Sequence, residues 1–291
     1  MDLRQVEYVV GVVDAGTFTA AAARLHVSQP SLSQGIARLE AELGTPLFHR
    51  VGRGAVLSAA GDAFLGPARR MLREARLARE SVEAVAEVER GTLDLVALPT
   101  LAADPVAVAV GQFRRAHPGV VVRIAEPEAA RDVAEQVSDG RAEIGLTDAL
   151  AAGEDLVVEH LVDQELVLVR PPRSDPRPVR IGALAGIEFV TTPVGTSTRR
   201  HLDEALARSA RAPTIAVETD QREAIVPLVL NGAGAALLPR APAELAERRG
   251  AVVATVVPAL RRSIALVYRP GVLSPAAARF RELAHDVVTG S

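Results

Sequence analysis

Apolar residues recur every three or four positions along the first 57 residues, the spacing of helices with one buried face. This spacing predicts helices over Leu3–Ala15 and Phe18–Leu25, followed by a tight break at His26-Val27. A further helix opens at Ser28, a good N-cap, and a short hairpin ends at Leu57. Helix, break, helix and hairpin in this order predict a winged helix-turn-helix, which places its second helix in a DNA groove.

The helix after Ser28 has an apolar stripe and an opposite polar face. The stripe that we expect to face the core is Leu32, Ile36, Leu39 and Leu43. Candidate DNA-binding residues of this helix, able to bond base edges or phosphates, are Ser28, Gln29, Pro30, Ser31, Ser33, Gln34 and Arg38. The alternative is a polar face that contacts only water. Gly35 interrupts the helix at a cost of about 1 kcal/mol relative to Ala, and we expect it to remove a phosphate contact.

Residues from Ser58 to about Glu89 form one long predicted helix. Its apolar residues alternate in steps of four and three, the heptad pattern of a helix that pairs with another helix. They are Phe64, Ala68, Met71, Ala75, Ala78, Val82 and Val85. We therefore expect a homodimer; a single amphipathic helix packed on its own domain is the alternative. Gly66-Pro67 predicts a bend or fraying.

Beyond Gly91, short apolar β-type runs alternate with helical stretches, which predicts an α/β domain with largely parallel sheets. The predicted strands are Leu93–Leu98, Val120–Ile124, Ile144–Leu146, Leu166–Val169, Phe189–Thr191, Ile215–Glu218, Ala235–Leu238, Val252–Val257 and Ile264–Tyr268. The predicted helices are Val106–His117, Ala129–Ser138, Arg199–Ala210, Arg222–Leu230 and Ala276–Val288.

Composition limits the alternatives. The net charge is −3, and acids balance arginines even in the first ninety residues, so the basic patch at the hairpin is small. There is no cysteine, no signal-like segment and no run approaching the roughly 20 apolar residues of a membrane span. We expect a cytoplasmic protein without a membrane partner.

No catalytic motif occurs: there is no GxSxG, no HExxH and, without lysine, no phosphate-binding GK[ST] loop. The six histidines are scattered without metal-like spacing, and we expect them to be surface or packing residues: His26, His49, His117, His160, His201 and His285. We expect no metal, no cofactor and no enzyme activity.

The segment SQPSLSQGIARLEAELGTPLFHRVGR resembles the DNA-binding signature of LysR-type transcriptional regulators. RRAHPGVVVRI, NGAGAALLP and LVYRPGVLSPAAARFREL resemble later parts of that family. The resemblance implies a winged domain over 1–58, a linker helix over 59–90 and an effector-binding domain over 91–291. That domain would be of the two-lobed periplasmic-binding-protein-like (type 2) kind, with lobe one over 91–161 and 266–291 and lobe two over 162–265. It also implies that Gln29, Pro30, Ser33 and Gln34 read bases, Arg50 holds phosphate and Arg53 enters the minor groove.

Ligands of open α/β sheets bind beyond the carboxyl ends of strands. The candidate effector-binding residues at such ends are Thr100, Thr147, Asp148, Gly195, Thr196, Ser197, Thr198 and Thr219. The helix start at 192–198 favours an anion such as a carboxylate; plain N-capping by Thr196 or Ser197 is the alternative. Asp148 would repel a carboxylate or bind an amine, or it forms a salt bridge with a nearby Arg.

These features predict a regulator that binds double-stranded DNA, senses an anionic small-molecule effector and controls a nearby promoter. We expect a homodimer through the linker helix, a homotetramer, and RNA polymerase as a candidate partner. The alternatives are a solute-binding protein-like module, an enzyme with a regulatory N-terminal module, and a regulator that has lost its inducer.

Overall fold

The N-terminal part is a helix-turn-helix with a hairpin wing, as predicted. The computed structural model describes residues 1–51, 54–83, 91–148, 155–207 and 214–289. The first elements are α1 (Leu3–Ala15), α2 (Phe18–Arg24), α3 (Gln29–Leu43), β1 (Phe48–Val51) and β2 (Gly54–Leu57). The break between α2 and α3 is tight because His26 adopts a left-handed conformation with φ 54°.

The N-terminal core forms where α3 packs on α1. Leu32, Ile36 and Leu39 are buried as predicted. Leu43 is 40% exposed, so its expected place in the core is wrong. It is the last residue of α3, and Gly44, in the left-handed conformation, turns the chain away there.

Gly35 allows the close contact between α3 and α1. A Cβ atom at Gly35 would lie 2.7 Å from Cδ2 of Tyr8, whose ring is buried in α1. The position therefore faces the neighbouring helix, and the expectation that Gly35 removes a phosphate contact is wrong.

The long helix α4 (Ala59–Glu83) continues through Pro67. Phe64 packs on the N-terminal core and Ala68 is fully buried, so the first predicted seam positions are covered within the chain. The side chain of Val82 and all of Val85 lie outside the described residues.

Salt bridges fix α4 between the N-terminal part and the rest of the chain. Arg69 binds Asp14 of α1 at 2.7 Å. Arg73 binds Glu143 at 2.5 Å, with both side chains at least 95% buried. Glu143 also accepts hydrogen bonds from the backbone N–H and the hydroxyl of Ser274.

The C-terminal part alternates strands and helices. Its strands are β3 (Gly91–Ala97), β4 (Val120–Ala125), β5 (Ile144–Asp148), β6 (Val157–Arg170), β7 (Val179–Arg180), β8 (Glu188–Thr191), β9 (Thr214–Glu218), β10 (Ala236–Pro239), β11 (Val252–Ala254), β12 (Val256–Val257) and β13 (Leu260–Tyr268). Its helices are α5 (Pro99–Leu101), α6 (Ala107–Ala116), α7 (Ala130–Ser138), α8 (Ser197–Ala207), α9 (Arg222–Leu230), α10 (Arg240–Arg248) and α11 (Pro275–Thr289).

The main sheet is mixed, so the expectation of largely parallel sheets is wrong for it. Its order is β10-β6-β13-β5-β3-β4. β3 pairs in parallel with β4 and β5, whereas β13 runs antiparallel to β5 and β6. The reason is that β6 carries the chain out of lobe one and β13 brings it back.

The two lobes have separate cores. One apolar cluster joins β3, α6 and α11 in lobe one, and two others lie around β6, β8 and β10 in lobe two. Tyr268, at the end of β13, is buried in lobe one and donates its hydroxyl hydrogen to Glu159. Within the described ranges, no single helix is long and apolar enough to cross a membrane; α1 and α2 pass that test only as a pair bent by 116°.

Candidate DNA-binding surface and ligand cleft

The amino end of α3 presents the predicted polar side chains. Ser28 caps the helix, because its hydroxyl accepts a hydrogen bond from the Ser31 N–H at 3.2 Å. The Gln29 amide donates to the Ser33 hydroxyl at 2.8 Å. The exposed members of the predicted set are Ser28, Gln29, Pro30, Ser31, Gln34 and Arg38, and Ser33 is half-buried.

The wing is an antiparallel pair of β1 and β2. Its base is fixed to α3, because Glu40 accepts hydrogen bonds from the backbone N–H groups of Leu47 and Phe48 at 2.7 and 3.2 Å. Arg53 and the side chain of Arg50 lie outside the described residues.

Three acids of the N-terminal part take part in structural contacts. Asp2 caps α1, Asp14 binds Arg69, and Glu42 binds the N-terminal amine. Among the described residues, no ion pair involves Arg24 or Arg38, both exposed. Arg24 and Arg38 are therefore available for contacts with phosphate.

In the C-terminal part, Asp148 at the end of β5 contacts the first turn of α8 across the cleft between the lobes. Its Oδ2 accepts a hydrogen bond from the Ser197 hydroxyl at 2.8 Å, pairs with Arg200, and lies 3.3 Å from His201 Nε2. Burial raises the pKa of Asp148, but the His201 contact and the nearby positive charges outweigh it, and the pKa lies below its ordinary value. The salt-bridge interpretation of Asp148 is confirmed, and His201 lies in the cleft.

The hydroxyl of Thr196 serves as the cap of α8. It accepts a hydrogen bond from the Arg199 N–H at 3.3 Å and donates to the Pro193 carbonyl at 2.9 Å. Plain N-capping is the alternative to effector binding that the sequence left open for Thr196. Gly195 is exposed in the preceding turn.

A second contact between the lobes centres on Glu128, which sequence analysis missed. The Ser197 N–H donates to the Glu128 carbonyl at 3.0 Å. Arg222 of α9 binds both the Glu128 carboxylate and the Thr198 hydroxyl. Ser197 therefore holds lobe one through its backbone and its side chain.

Arg262 of β13 is a further cleft residue that sequence analysis missed. It donates to the Thr100 hydroxyl at 2.9 Å and to the Gln164 amide oxygen at 2.7 and 3.1 Å. Burial lowers its pKa to about 10. One sequence signal could have found Arg262: it is a charged residue at a position that the alternation of β13 assigns to the buried face.

A cavity of about 640 Å³ opens beside these contacts. Thr100 and Thr198 of the predicted set line it, together with Arg222 and an apolar wall that includes Ile225 and Leu238. Thr147 is fully buried, and Thr219 is half-buried beyond β9.

Two family models divide the chain in the same way as its fold. Residues 3–62 match the bacterial regulatory helix-turn-helix protein, lysR family, and residues 86–289 match the LysR substrate binding domain. The chain belongs to the LysR family. It is a DNA-binding transcriptional regulator with an effector-binding domain.

Other LysR-family regulators are similar over nearly the whole chain. The transcriptional regulator TfdS of Cupriavidus pinatubonensis is 32% identical over 254 residues, 84% of each chain. Full-length OxyR of Pseudomonas aeruginosa superposes with TM-score 0.79 at 23% identity, covering 99% of this chain and 94% of that one. CbnR, solved with its target DNA, gives TM-score 0.68 at 25% identity, with coverage of 99% and 100%.

Proposed function

We propose that this LysR-family protein reads an operator near its own gene with the amino end of α3 and the wing, in the cytoplasm. Support comes from the exposed side chains of Gln29, Gln34 and Arg38 on one helix end. Gln can bond adenine edges in the major groove, and Arg can hold phosphate. The contact of Arg50 with phosphate and that of Arg53 with the minor groove remain predictions.

The effector is proposed to carry a carboxylate and to bind in the cavity between the lobes. The support is the cavity of about 640 Å³ with Thr100 and Thr198 in its wall, a volume suited to a small ligand. Arg222, Arg248 and Arg249 supply positive charge in the cavity wall, beside the acids Asp104, Glu126 and Glu223. The roles of the other predicted effector residues stay predictions.

The proposed assembly is a homodimer through the linker helix over 59–90, extended to a homotetramer on DNA, with RNA polymerase as a further partner. Phe64 and Ala68 are covered within the chain, so pairing would rely on the later turns of α4. An effector shifts such an assembly between two shapes only if it binds one of them better. We expect no catalytic turnover.

The test is DNA binding by fluorescence anisotropy on the promoter region next to its gene, over a series of salt concentrations. We expect Gln34→Ala to weaken operator binding by about 1 to 3 kcal/mol and to relax base preference. Arg38→Ala should weaken all DNA equally and reduce the salt slope by about 1. If neither variant changes operator binding, α3 does not read this DNA.

A further inference from the structure

The cavity between the lobes has a wall that is mostly apolar. Ile225 of α9 and Leu238 of β10 line it and are 3% and 6% exposed. Leu245 of α10 lines the same cavity but is 55% exposed, so apolar surface of the wall remains in contact with water. No aromatic side chain is among the described residues of the wall. A ligand with an apolar body would remove this surface from water, which favours its binding.

Two hydroxyl groups line the same cavity, and each accepts a hydrogen bond from an arginine. Thr100 of α5 accepts from Arg262 at 2.9 Å, and Thr198 of α8 accepts from Arg222. A hydroxyl also has one hydrogen to donate, and within the described ranges neither threonine donates it. Both hydrogens are therefore available to a ligand in the cavity. A hydroxyl that accepts from a cation is polarised and becomes a stronger donor.

The two arginines supply positive charge at these hydroxyls. The side chain of Arg222 lines the cavity and is 13% exposed, and Arg262 is 3% exposed. Burial lowers the pKa of Arg262 to about 10; Arg222 adds to this effect, while Asp148 and Asp104 oppose it. Two guanidinium groups that act on each other in this way favour an anion at the hydroxyls that they hold.

The other charged residues of the wall have both signs. They are Asp104, Glu126, Glu223, Arg248 and Arg249. All are exposed except Asp104, which is half-buried. Three acids against two arginines give a second carboxylate no net attraction there, and beside the apolar wall it would lose its hydration. The wall therefore favours a ligand with one carboxylate over a ligand with two.

We propose that the effector of this cavity is an aliphatic monocarboxylate, that is, one carboxylate on an apolar chain without a ring. The carboxylate accepts hydrogen bonds from the hydroxyls of Thr100 and Thr198, and the chain lies along Ile225, Leu238 and Leu245. The inference rests on the proposed effector-sensing function and names the ligand class for it. An aromatic acid would find no ring of the described wall to stack on.

Straight-chain acids of increasing length test the contact with the apolar wall. The probes are butanoate, hexanoate and octanoate, measured by thermal shift and titration calorimetry on the full-length protein. We expect octanoate to raise Tm, because it binds the folded state. The Kd should fall by up to about fourfold for each added methylene group. A Kd that does not depend on chain length overturns the proposal.

Matched analogues of octanoate test the carboxylate. Octanol and octylamine keep the chain and lack the anion, whereas octanedioate carries a second carboxylate at the far end. Each should bind at least tenfold more weakly than octanoate, because a donor stays unpaired or a charge is desolvated. If octylamine binds as well as octanoate, the acids of the wall hold the ligand and the proposal is wrong.

Leu245→Ser tests the wall at a position where the folded protein loses little buried surface. The Kd for octanoate should rise about fivefold, whereas the Kd for butanoate, which is too short to cover the wall, should stay unchanged. Leu43→Ser is the matched control, at a leucine that is 40% exposed at the end of α3. It should change neither Kd. An unchanged Kd for octanoate in Leu245→Ser excludes this path for the chain.

Thr198→Val and Thr198→Ser test the hydroxyl. Thr198→Val should reduce the preference for octanoate over octanol about fivefold or more, because a bond to a charged acceptor is stronger than one to a neutral acceptor. Thr198→Ser keeps the hydroxyl and should keep the preference. A purely structural loss would weaken both ligands equally, and a preference that survives in Thr198→Val overturns the proposed contact.

Failure of the ligand class and failure of effector sensing give different results. If benzoate or octanedioate raises Tm where octanoate does not, and Thr198→Val removes that shift, effector sensing stands and the aliphatic class is wrong. If none of these carboxylates raises Tm, the proposal and the sensing of a carboxylate in this cavity are both wrong.

Discussion

At the scale of single residues, position 35 decides how closely the recognition helix packs on its neighbour. Helix propensity alone would favour Ala over Gly there by about 1 kcal/mol. The Tyr8 ring opposes this, because Cδ2 and Cε2 would lie 2.7 and 2.8 Å from the new methyl group. Relief requires movement of a large buried ring, so we expect the clash to outweigh the propensity.

We therefore predict that Gly35→Ala lowers the free energy of unfolding by about 1 to 3 kcal/mol. Gly111→Ala in α6 is the matched control, because its nearest atom would be Arg115 Nη1 at 3.9 Å. The control should raise stability by about 0.5 to 1 kcal/mol. Calorimetry measures the stability of both variants. If both substitutions stabilise the protein, the Tyr8 ring moves aside at little cost in free energy.

At the scale of elements, α4 is held on lobe one by a buried ion pair. Arg73 reaches Glu143, whose second oxygen is bonded by the Ser274 hydroxyl at the start of α11. One cluster thus joins the linker helix, the strand region before β5 and the last helix. Breaking a buried pair costs much more than breaking an exposed one, since it leaves one charge without a partner.

Arg73→Met should lower the free energy of unfolding by roughly 3 to 5 kcal/mol. Arg69→Met removes a more exposed pair, in which Asp14 is 37% exposed, and should cost about 1 kcal/mol or less. Urea unfolding of the two variants measures the difference. Equal losses would mean that Arg73 contributes no more than a surface charge.

Sequence patterns found most elements and failed for identifiable reasons. The strongly periodic helices α1, α3 and α9 were predicted within a residue or two. Helix α10 was missed because Pro239 and Pro242 suggest a loop, although Pro is tolerated in a first turn. The apolar pattern alone predicted only the second half of β6, because polar residues alternate irregularly where the strand crosses between lobes.

The site was predicted only in part because its contacts are non-local. Strand ends pointed to Thr100, Asp148 and Ser197, and the structure joins Asp148 to Ser197. Arg262 was missed because its partner Thr100 is 162 residues away in the sequence. Only the pairing of β13 with β5 and β6 brings that Arg to the cleft.

At the scale of the whole molecule, contacts run continuously from the helix-turn-helix to lobe two. Arg69 joins α4 to α1, Arg73 joins α4 to lobe one, and Asp148 joins lobe one to α8. Any ligand that alters the angle between the lobes must replace the Asp148 contacts with better ones in its preferred state. Those contacts therefore hold the arrangement of the lobes in this structure.

The Asp148 contacts should make stability depend on pH. The pKa of Asp148 is lowered in the folded state, so its stabilisation is present above the unfolded-state pKa and is lost as the pH falls through the folded value. We predict that Asp148→Asn is less stable than the parent by about 1 to 3 kcal/mol at pH 7. This difference should shrink below about pH 4; a gap that widens in acid would contradict the ion pair.

The chain contains two tyrosines and no tryptophan, so the two tyrosines are its strong ultraviolet chromophores. Tyr8 lies at the contact between α1 and α3, and Tyr268 lies at the end of β13 in lobe one. The tyrosine fluorescence of the intact protein therefore comes from one residue in each half, Tyr8 and Tyr268. A Tyr8→Phe chain emits only from the ligand-binding half and a Tyr268→Phe chain only from the DNA-binding half. Communication between the halves can be followed in real time without attaching a dye.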